Sequence, residues 1–599
     1  MKRTTHRHWV AAPLIVLLCT VVAMPGWALP LPDGIEADLM SHIRYLADDA
    51  REGRGIGTAG LDSSAAYIAD RFGEYGLTPL FGDGYYQAFE MAWGAELQPG
   101  CYLATAEDTL WTETDLLPLG FSGIGEVSGP AWFAGFGISA PEYDYDDYAG
   151  INVQGAVVIV LEGEPGQENE ESLFAGRLDT DHAMLRTKAI NAKNQGAAGL
   201  VIVTLNDADT LTPLSSDEPY RDAGLPVVQV TRAGLKQLLP RLDVQKLRRS
   251  IDANETPRSM EAGEVPLGLR VNLLRRSVPV ANVCGMVPGG SEVLVVGAHY
   301  DHLGYGQMGS NEQGVRVIHN GADDNASGVA VLLELARWYA EHPDGPTIWF
   351  VAFTGEEAGL VGSNHFVNNP PMGGLDEVKF MLNLDMVGRT QDRKLTVYGV
   401  ASAEGLSEMA SRAGDGSPLT LNLTGDGYGS SDQTSFYLKG IPVLHLLGAL
   451  HEDYHTSRDD VDKINSSGLV DVLDYSIRLL NEATSNTTEL VYQAKSAPDR
   501  ASGRRSITVS LGTIPDFSQP DSLSGMRIQG VREGTPAAEA GLTGMDVLVR
   551  IGDVVIDNIY DFTYALKQHK PGDQVEVVYK RNGEEHRTIV TFTAAQRRH

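Results

Sequence analysis

Apolar residues fall on two periods along this chain, and the changes of period mark its parts. Leu39, Ile43 and Leu46, then Ala65, Ile68, Ala69 and Phe72, recur at helical spacing, so 35–80 predicts helices. Between them Glu52-Gly53-Arg54-Gly55-Ile56-Gly57-Thr58 is glycine-rich. It lacks the lysine and the preceding strand of a phosphate loop, which leaves a structural turn. From about 115 to 255 short β-type runs take over, at 131–136, 156–161, 199–203 and 226–230, with one helix near 184–195. From about 260 to 495 strands and helices alternate, at 294–297, 328–339, 347–353, 379–384 and 442–447. That alternation predicts an α/β domain with a mostly parallel central sheet. A polar stretch with breakers, 498–505, reads as a linker to a last β-rich unit at 506–599.

At 599 residues the chain exceeds a single core and predicts about three domains. Its net charge of -32 argues against nucleic acid, which needs a basic surface, and favours attraction of free amino groups. Lys2, Arg3 and Arg7, the apolar run 10–24 and small residues before Trp27-Ala28-Leu29 predict a signal peptide over 1–28. The run is short for a spanning helix, and no later segment is long enough, so a periplasmic or secreted protein without a stable membrane span is expected. A retained anchor is the alternative. Leu18 before Cys19 is bulky where a lipoprotein signal wants a small residue. Cys101 and Cys284 fall in different segments, so two free buried thiols are expected rather than a disulfide.

Chemistry concentrates at the ends of the predicted strands. His299-Tyr300-Asp301 follows the run 293–297, and Gly321-Ala322-Asp323-Asp324-Asn325-Ala326-Ser327-Gly328 opens an apolar helix. Glu356-Glu357 ends the next strand, Asp385 ends 381–384, and His455 lies in Tyr454-His455-Thr456-Ser457. Two imidazoles and three carboxylates suit a pair of zinc ions, with Glu356 left over as a base. In His-x-Asp one side chain ligates while the other orients an imidazole. On a turn, adjacent acids point apart, so one binds metal while the other faces a bridging water. Any one of these residues alone would read as a solvated turn or a helix cap. Their order and strand-end placement together predict a metal site.

These motifs resemble the zinc exopeptidases that include secreted bacterial aminopeptidases and glutamate carboxypeptidase. The resemblance covers about 35–115 and 260–495. It implies a phosphorylase/hydrolase-like α/β fold and two Zn2+ per chain. By it, His299 and Asp385 bind one zinc, Glu357 and His455 the other, and Asp324 bridges them, with Asp323 its rival. Asp301 orients His299, Glu356 is general base and then acid, and Tyr454 supports the oxyanion. The runs Val157-Val158-Ile159-Val160 and Gly196-Ala197-Ala198-Gly199-Leu200-Val201-Ile202, with the Lys188–Ala192 helix sequence between them, resemble a β-rich protease-associated (PA) domain, read as a lid or spacer. Leu511-Gly512-Thr513-Ile514, Gly534-Thr535-Pro536-Ala537 and Ala540-Gly541-Leu542 resemble a PDZ domain of the bacterial protease type. Its loop amides at Leu511, Gly512, Thr513 and Ile514 would take a peptide C-terminus, the alternative being a closed packing module. The resulting domains are 29–115 and 259–497 for the peptidase, 116–258 for the PA insertion and 506–599 for the PDZ domain.

The expected function is that of an exported zinc exopeptidase, an aminopeptidase first, acting on peptides through a zinc-bridged hydroxide with Glu356 as base. A carboxypeptidase of the same family is the close alternative, and the lack of an arginine cluster near the motifs leans against it. A non-catalytic, receptor-like peptide binder and a one-metal glutaminyl-cyclase-like transferase both fit the complete ligand set poorly. Among the remaining histidines, His302, His319, His365 and His451 are expected at the surface or behind the ligands. Asp432 is expected near substrate, and Arg389 either there or in a salt bridge.

Overall fold

The computed structural model describes most of residues 31–594. The segments 1–30, 215–221, 485–489, 494–508 and 595–599 and some shorter stretches lie outside it, so the expected signal peptide and linker fall outside the described residues. Helices α1 (Ile35–Leu46) and α2 (Ala59–Glu74) bury the residues that set their period, Leu39, Ile43 and Leu46 in one and Ile68, Ala69 and Phe72 in the other. The Thr58 hydroxyl caps α2 by accepting from the Leu61 amide. Between the helices the glycine-rich segment forms a tight turn at Asp49–Arg54.

Strand β1 (Tyr86–Leu97) pairs antiparallel with β2 (Leu273–Val287) along most of its length, making a two-stranded arm. The β-rich insertion sits on this arm. Its larger sheet runs Ser259–Glu261, Ala131–Ala134, Val157–Leu161, Gly199–Val203, Val227–Val230, Leu116–Pro118, flanked by helix α3 (Leu185–Asn194). A second sheet joins Thr109–Trp111, Tyr102–Ala104, Leu267–Val271 and Gly125–Gly129. Leu103, Leu110, Leu267 and Leu269 lie in the same core as Val157 and Val201, so the insertion is wider than the expected 116–258. The added strands at 102–111 are three residues each, too short to show an alternation. Cys101 and Cys284 are free and buried.

The central sheet holds β3 (Val293–His299), β4 (Thr347–Phe353), β5 (Val378–Leu384), β6 (Lys394–Tyr398), β7 (Thr420–Thr424) and β8 (Val443–Leu447). Its order is Thr78–Pro79, β2, β4, β3, β5, β8, β6, β7. Strands β4, β3, β5 and β8 are mutually parallel, whereas β2 runs against β4 and β6 against β8; β7 is parallel to β6. Helix α4 (Gly328–Glu341) follows β3, and α5 (Val361–Asn368) follows β4. Short α6 (Gln433–Tyr437) precedes β8, and α7 (Ser466–Thr484) follows it. The chain goes from β3 out to β4 and back across to β5, so the strand order reverses at β3 and opens a crevice at its carboxyl end.

The last unit is a sheet in the order β9 (Thr513–Pro515), β10 (Met526–Val531), β11 (Val547–Ile551), β12 (Gln574–Arg581), β13 (Glu584–Thr591), with helix α8 (Ile559–Lys567) over a core that includes Ile528, Leu548, Phe562 and Val577. Among the described residues no helix is long and apolar enough to cross a membrane.

Gly60 shows how tightly the first turn is packed: a Cβ there would lie 1.9 Å from the Arg51 carbonyl oxygen. Gly60→Ala is therefore expected to cost about 1–3 kcal/mol. Unchanged thermal melting would show that the turn yields freely.

Candidate metal centre

The four parallel strands deliver their next residues to one edge of the sheet. His299 is the last residue of β3, Glu356 and Glu357 follow β4, Asp385 follows β5, and the loop after β8 carries Tyr454 and His455. Asp324 comes from the turn that leads into α4. Backbone pairing of the strands thus converges seven side chains from distant parts of the sequence, of which His299, Asp324, Glu357, Asp385 and His455 group most closely.

They form two clusters that share Asp324. His299 Nε2 lies 3.3 Å from Asp385 Oδ1 and 3.4 Å from Asp324 Oδ1. His455 Nε2 lies 3.3 Å from Asp324 Oδ2 and 3.3 Å from Glu357 Oε2. Nitrogen and oxygen ligands at tetrahedral angles around zinc would stand about 3.3–3.5 Å apart. Both clusters have that spacing, and Asp324 turns one oxygen to each. His302 also reaches the second cluster, together with Asp324 and Glu357. Its distances differ, however: Nδ1 is 2.8 Å from Glu357 Oε1 and 3.8 Å from Asp324 Oδ2. The first is a hydrogen bond to the carboxylate oxygen turned away from His455, so His302 steadies Glu357 while His455 Nε2 stands at the spacing of a ligand.

Ring orientation supports this division. His299 Nδ1 donates to the Asp301 carbonyl at 3.2 Å, and His455 Nδ1 donates to the Gly309 carbonyl at 2.8 Å. In both rings Nε2 is the nitrogen left for the carboxylate cluster. Asp301 thus holds His299 through its main chain. Its carboxylate is 3.9 Å from His299 Nδ1 and instead accepts the Glu356 amide at 3.1 Å. Tyr454 stacks on His455 with ring centroids 3.8 Å apart. Asp323 turns away from the clusters, accepting from the Gly388 amide and Ser327 hydroxyl and pairing with His451. Of the rival bridging residues, Asp324 is the one between the imidazoles.

Residues 282–480 match peptidase family M28. That part of the chain, which carries both clusters, belongs to that family. Residues 127–238 match the PA domain and 504–591 the PDZ domain. Aminopeptidase YwaD of Bacillus subtilis is 27% identical over 297 residues, 47% of this chain and 56% of that protein. An aminopeptidase of Pseudomonas aeruginosa is 30% identical over 206 residues, 34% of this chain and 32% of that one. The chain therefore spans about half or less of these two relatives. Among solved structures, an aminopeptidase from Aneurinibacillus sp. strain AM-1 aligns at TM-score 0.47 and 20% identity, covering 78% of this chain and 98% of that one. The zinc aminopeptidase BSAP of Bacillus subtilis aligns at TM-score 0.47 and 21% identity, covering 78% and 99%.

The glycine-rich turn carries a residue whose role its sequence pattern did not show. Arg54 is fully buried, and its guanidinium donates to the carbonyls of Tyr300, Leu46, Asn320 and Gly321 at 2.7–2.8 Å and of Asp324 at 3.4 Å. One side chain thus pins the turns that carry His299, Asp301 and Asp324. Burial lowers its pKa to about 10, with Asp324 and Asp301 opposing. Gly53 is part of the device, because a Cβ there would lie 2.4 Å from the carbonyl oxygens of Gly304 and His319. Asp459 also escaped the sequence reading: its Oδ2 accepts the amides of Asp323 and Asp324, both at 3.0 Å. Arg389 is buried in ion pairs with Asp453 and Asp459, the structural role of its two alternatives. Asp432 is fully buried and lies in the field of His299 and Asp385. Of the other histidines, His319 bonds Ser310 within its own loop, His365 stacks on Phe89, and His445, not singled out before, stands 4.0 Å from Asp385.

The protein's own field divides the adjacent acids. Burial pushes Glu356 well above the usual carboxylate range, with Glu357 and Asp385 adding to the effect against His299. Burial would raise Glu357 as well, but hydrogen bonds from His302 and His455 outweigh it and hold Glu357 well below its ordinary value. Glu356 thus has far more affinity for a proton than Glu357, the split that separates a proton-transfer group from an ionised ligand. Burial would lower His455, yet Asp324 and Glu357 outweigh it and raise it to about 10. His299 is raised in the same way by Asp385 and Glu356 against its burial.

Two outcomes follow. At pH 7 both ligand imidazoles hold a proton that a metal must displace, so zinc affinity should rise with pH towards about 10, the value for His455. Calorimetric titration in buffers of different ionisation enthalpy should register release of about two protons per chain at pH 7; zero release would contradict the paired-imidazole picture. Arg54→Met leaves its carbonyl partners without their buried donor and should cost about 3–5 kcal/mol in stability and weaken zinc binding. A variant with wild-type melting and zinc affinity would remove Arg54 from the account.

Proposed function

We propose that this chain is an exported zinc-dependent exopeptidase with two Zn2+ per chain, acting as an aminopeptidase on peptides in the periplasm or outside the cell. One observation carries the reading: two clusters at tetrahedral ligand spacing share Asp324, with a proton-holding carboxyl, Glu356, beside them. The family match and the aminopeptidase names of the relatives support it. His299, Asp385 and Asp324 would hold one ion, and His455, Glu357 and Asp324 the other. When bound, the ions supply Lewis acidity to a water and to the scissile carbonyl.

The chain's own residues do the rest. Glu356, placed by the bond from its amide to Asp301, would give up its own proton once two positive charges fill the clusters; as the carboxylate it takes the proton of the attacking water and returns it to the leaving amine. Tyr454 carries a phenol raised by burial and by Asp324 and Glu357, so it stays protonated and donates to the developing oxyanion. His302 keeps Glu357 ionised and fixed.

Amine recognition is favoured over carboxylate recognition by charge. Arg54, Arg389 and Arg458, which reach the ligand-bearing loops, are each committed to carbonyls or to Asp453, Asp459 and Glu312. The surrounding carboxylates suit an ammonium. The PDZ domain would take a peptide C-terminus through Leu511, Gly512, Thr513 and Ile514.

The test is one peptide offered free and N-acetylated to the zinc-loaded protein, with products read by mass spectrometry. Stepwise loss from the free N-terminus, blocked by acetylation, is expected. Loss from the C-terminus of both would make the chain a carboxypeptidase. Glu356→Gln should lower kcat by roughly 10²–10⁴-fold with zinc content unchanged; wild-type turnover would refute its role as base.

A further inference from the structure

The PDZ domain is bound on two sides within the chain. On the peptidase side, Asn364 of α5 donates to buried Asp516 at 2.6 Å, and Gln529 of β10 donates to Asn364 at 3.1 Å. Asp516 is also paired with Arg527, and a Cβ on Gly530 would lie 2.7 Å from Leu438, just past α6. On the PA side, Lys193 at the end of α3 bridges Asp557 at 2.8 Å and fully buried Asp561 at 2.9 Å. Burial would lower the Lys193 pKa, but Asp561 and Asp557 outweigh it and raise it. Asn558 donates to the Asp222 carbonyl at 3.1 Å, and a cavity of about 60 Å³ lies between Asn191 of α3 and Tyr564 of α8.

This docking gives the peptide groove a direction. Strand β9 is the outer strand of its sheet, so its outer edge is the place for an added strand. The loop before β9 holds Gly512 at φ 82 against Thr535, and the Thr513 hydroxyl is buried without a partner among the described residues. A peptide whose carboxylate sits at that loop runs its preceding residues along β9 from Thr513 to Pro515. Its N-terminal part then leaves at Asp516, the residue docked on α5. Helix α5 starts four residues after Glu357. The far wall of the groove, α8, rests on the PA domain.

We propose that the PDZ domain and the metal centre hold opposite ends of one substrate. The PDZ loop takes the C-terminal carboxylate, and the chain leads the free N-terminus past α5 to the clusters around Asp324. This rests on the aminopeptidase reading above and names its substrate class: unstructured peptides with both ends free. Reach grows by about 3.3 Å per extended residue, so long peptides can engage both sites while the shortest engage one at a time.

The experiment uses the full zinc-loaded chain and peptides of four to sixteen residues with one N-terminal sequence, each with a free or an amidated C-terminus. Amidation should lower kcat/KM about tenfold for the longest peptides, through KM, and leave the tetrapeptide unchanged. An N-acetylated sixteen-residue peptide with a free carboxylate should inhibit cleavage of the long peptide, and its amide should inhibit much less. Equal cleavage of free and amidated peptides at every length overturns the two-ended arrangement and leaves the aminopeptidase standing. Equal loss on amidation in the tetrapeptide also overturns it, because the carboxylate is then sensed at the catalytic site. Absence of N-terminal cleavage from every peptide defeats the aminopeptidase reading itself, and the proposal with it.

Discussion

The site depends on keeping a crowd of carboxylates together out of water. Asp301, Asp323, Asp324, Asp385, Asp432 and Asp459 are all buried within one end of the sheet, with Glu356 and Glu357 beside them. Repulsion and lost hydration both oppose that gathering. Each acid is stabilised by a different partner. Asp323 has the Gly388 amide and His451, Asp459 has Arg389, Glu357 has His302 and His455, and Asp385 has His299. Asp324 is shared by the two imidazoles, whose protons two dications would displace while taking over the neutralisation of the acids.

The frame around this crowd is built from backbone. Parallel strands β4, β3, β5 and β8 bring their ends to one edge, and Arg54 ties the N-terminal turn to the ligand turns through carbonyl oxygens rather than carboxylates. Its positive charge also sits behind the acids without competing for the ligand oxygens that face the ions. Asn325 adds a second tie, donating to the Leu384 carbonyl and accepting from the Met386 amide on either side of Asp385. The bridging turn and the end of β5 are therefore fixed relative to each other before any ion arrives.

Much of this was legible because it is local or periodic. Buried parallel strands are apolar runs, so β3, β4, β5 and β8 stood out, with the candidate ligands at or after their ends. Asp324, Asp385, Glu357, His299 and His455 could be named from motif and order. Other features had no local signature. A long strand such as β2, half in the arm and half in the sheet, mixes exposed and buried stretches and shows no single period. The width of the PA insertion depends on three-residue strands that only their partners define. Arg54 looked like one charge in a turn, because its partners are carbonyls about 250 residues away.

The sequence alone determined the chemistry on offer: which side chains could ligate, which acid was spare, and that three units share one chain. Residue types and apolar periods carry that information directly. Tertiary structure decided the roles. It set Asp324 rather than Asp323 between the imidazoles, made the Asp301 main chain the anchor of His299, and separated His302 from His455 by half an ångström of distance to Glu357. Those choices depend on which lone pair faces which ring nitrogen, a matter of angle and distance fixed only when strands, turns and the buried guanidinium pack together.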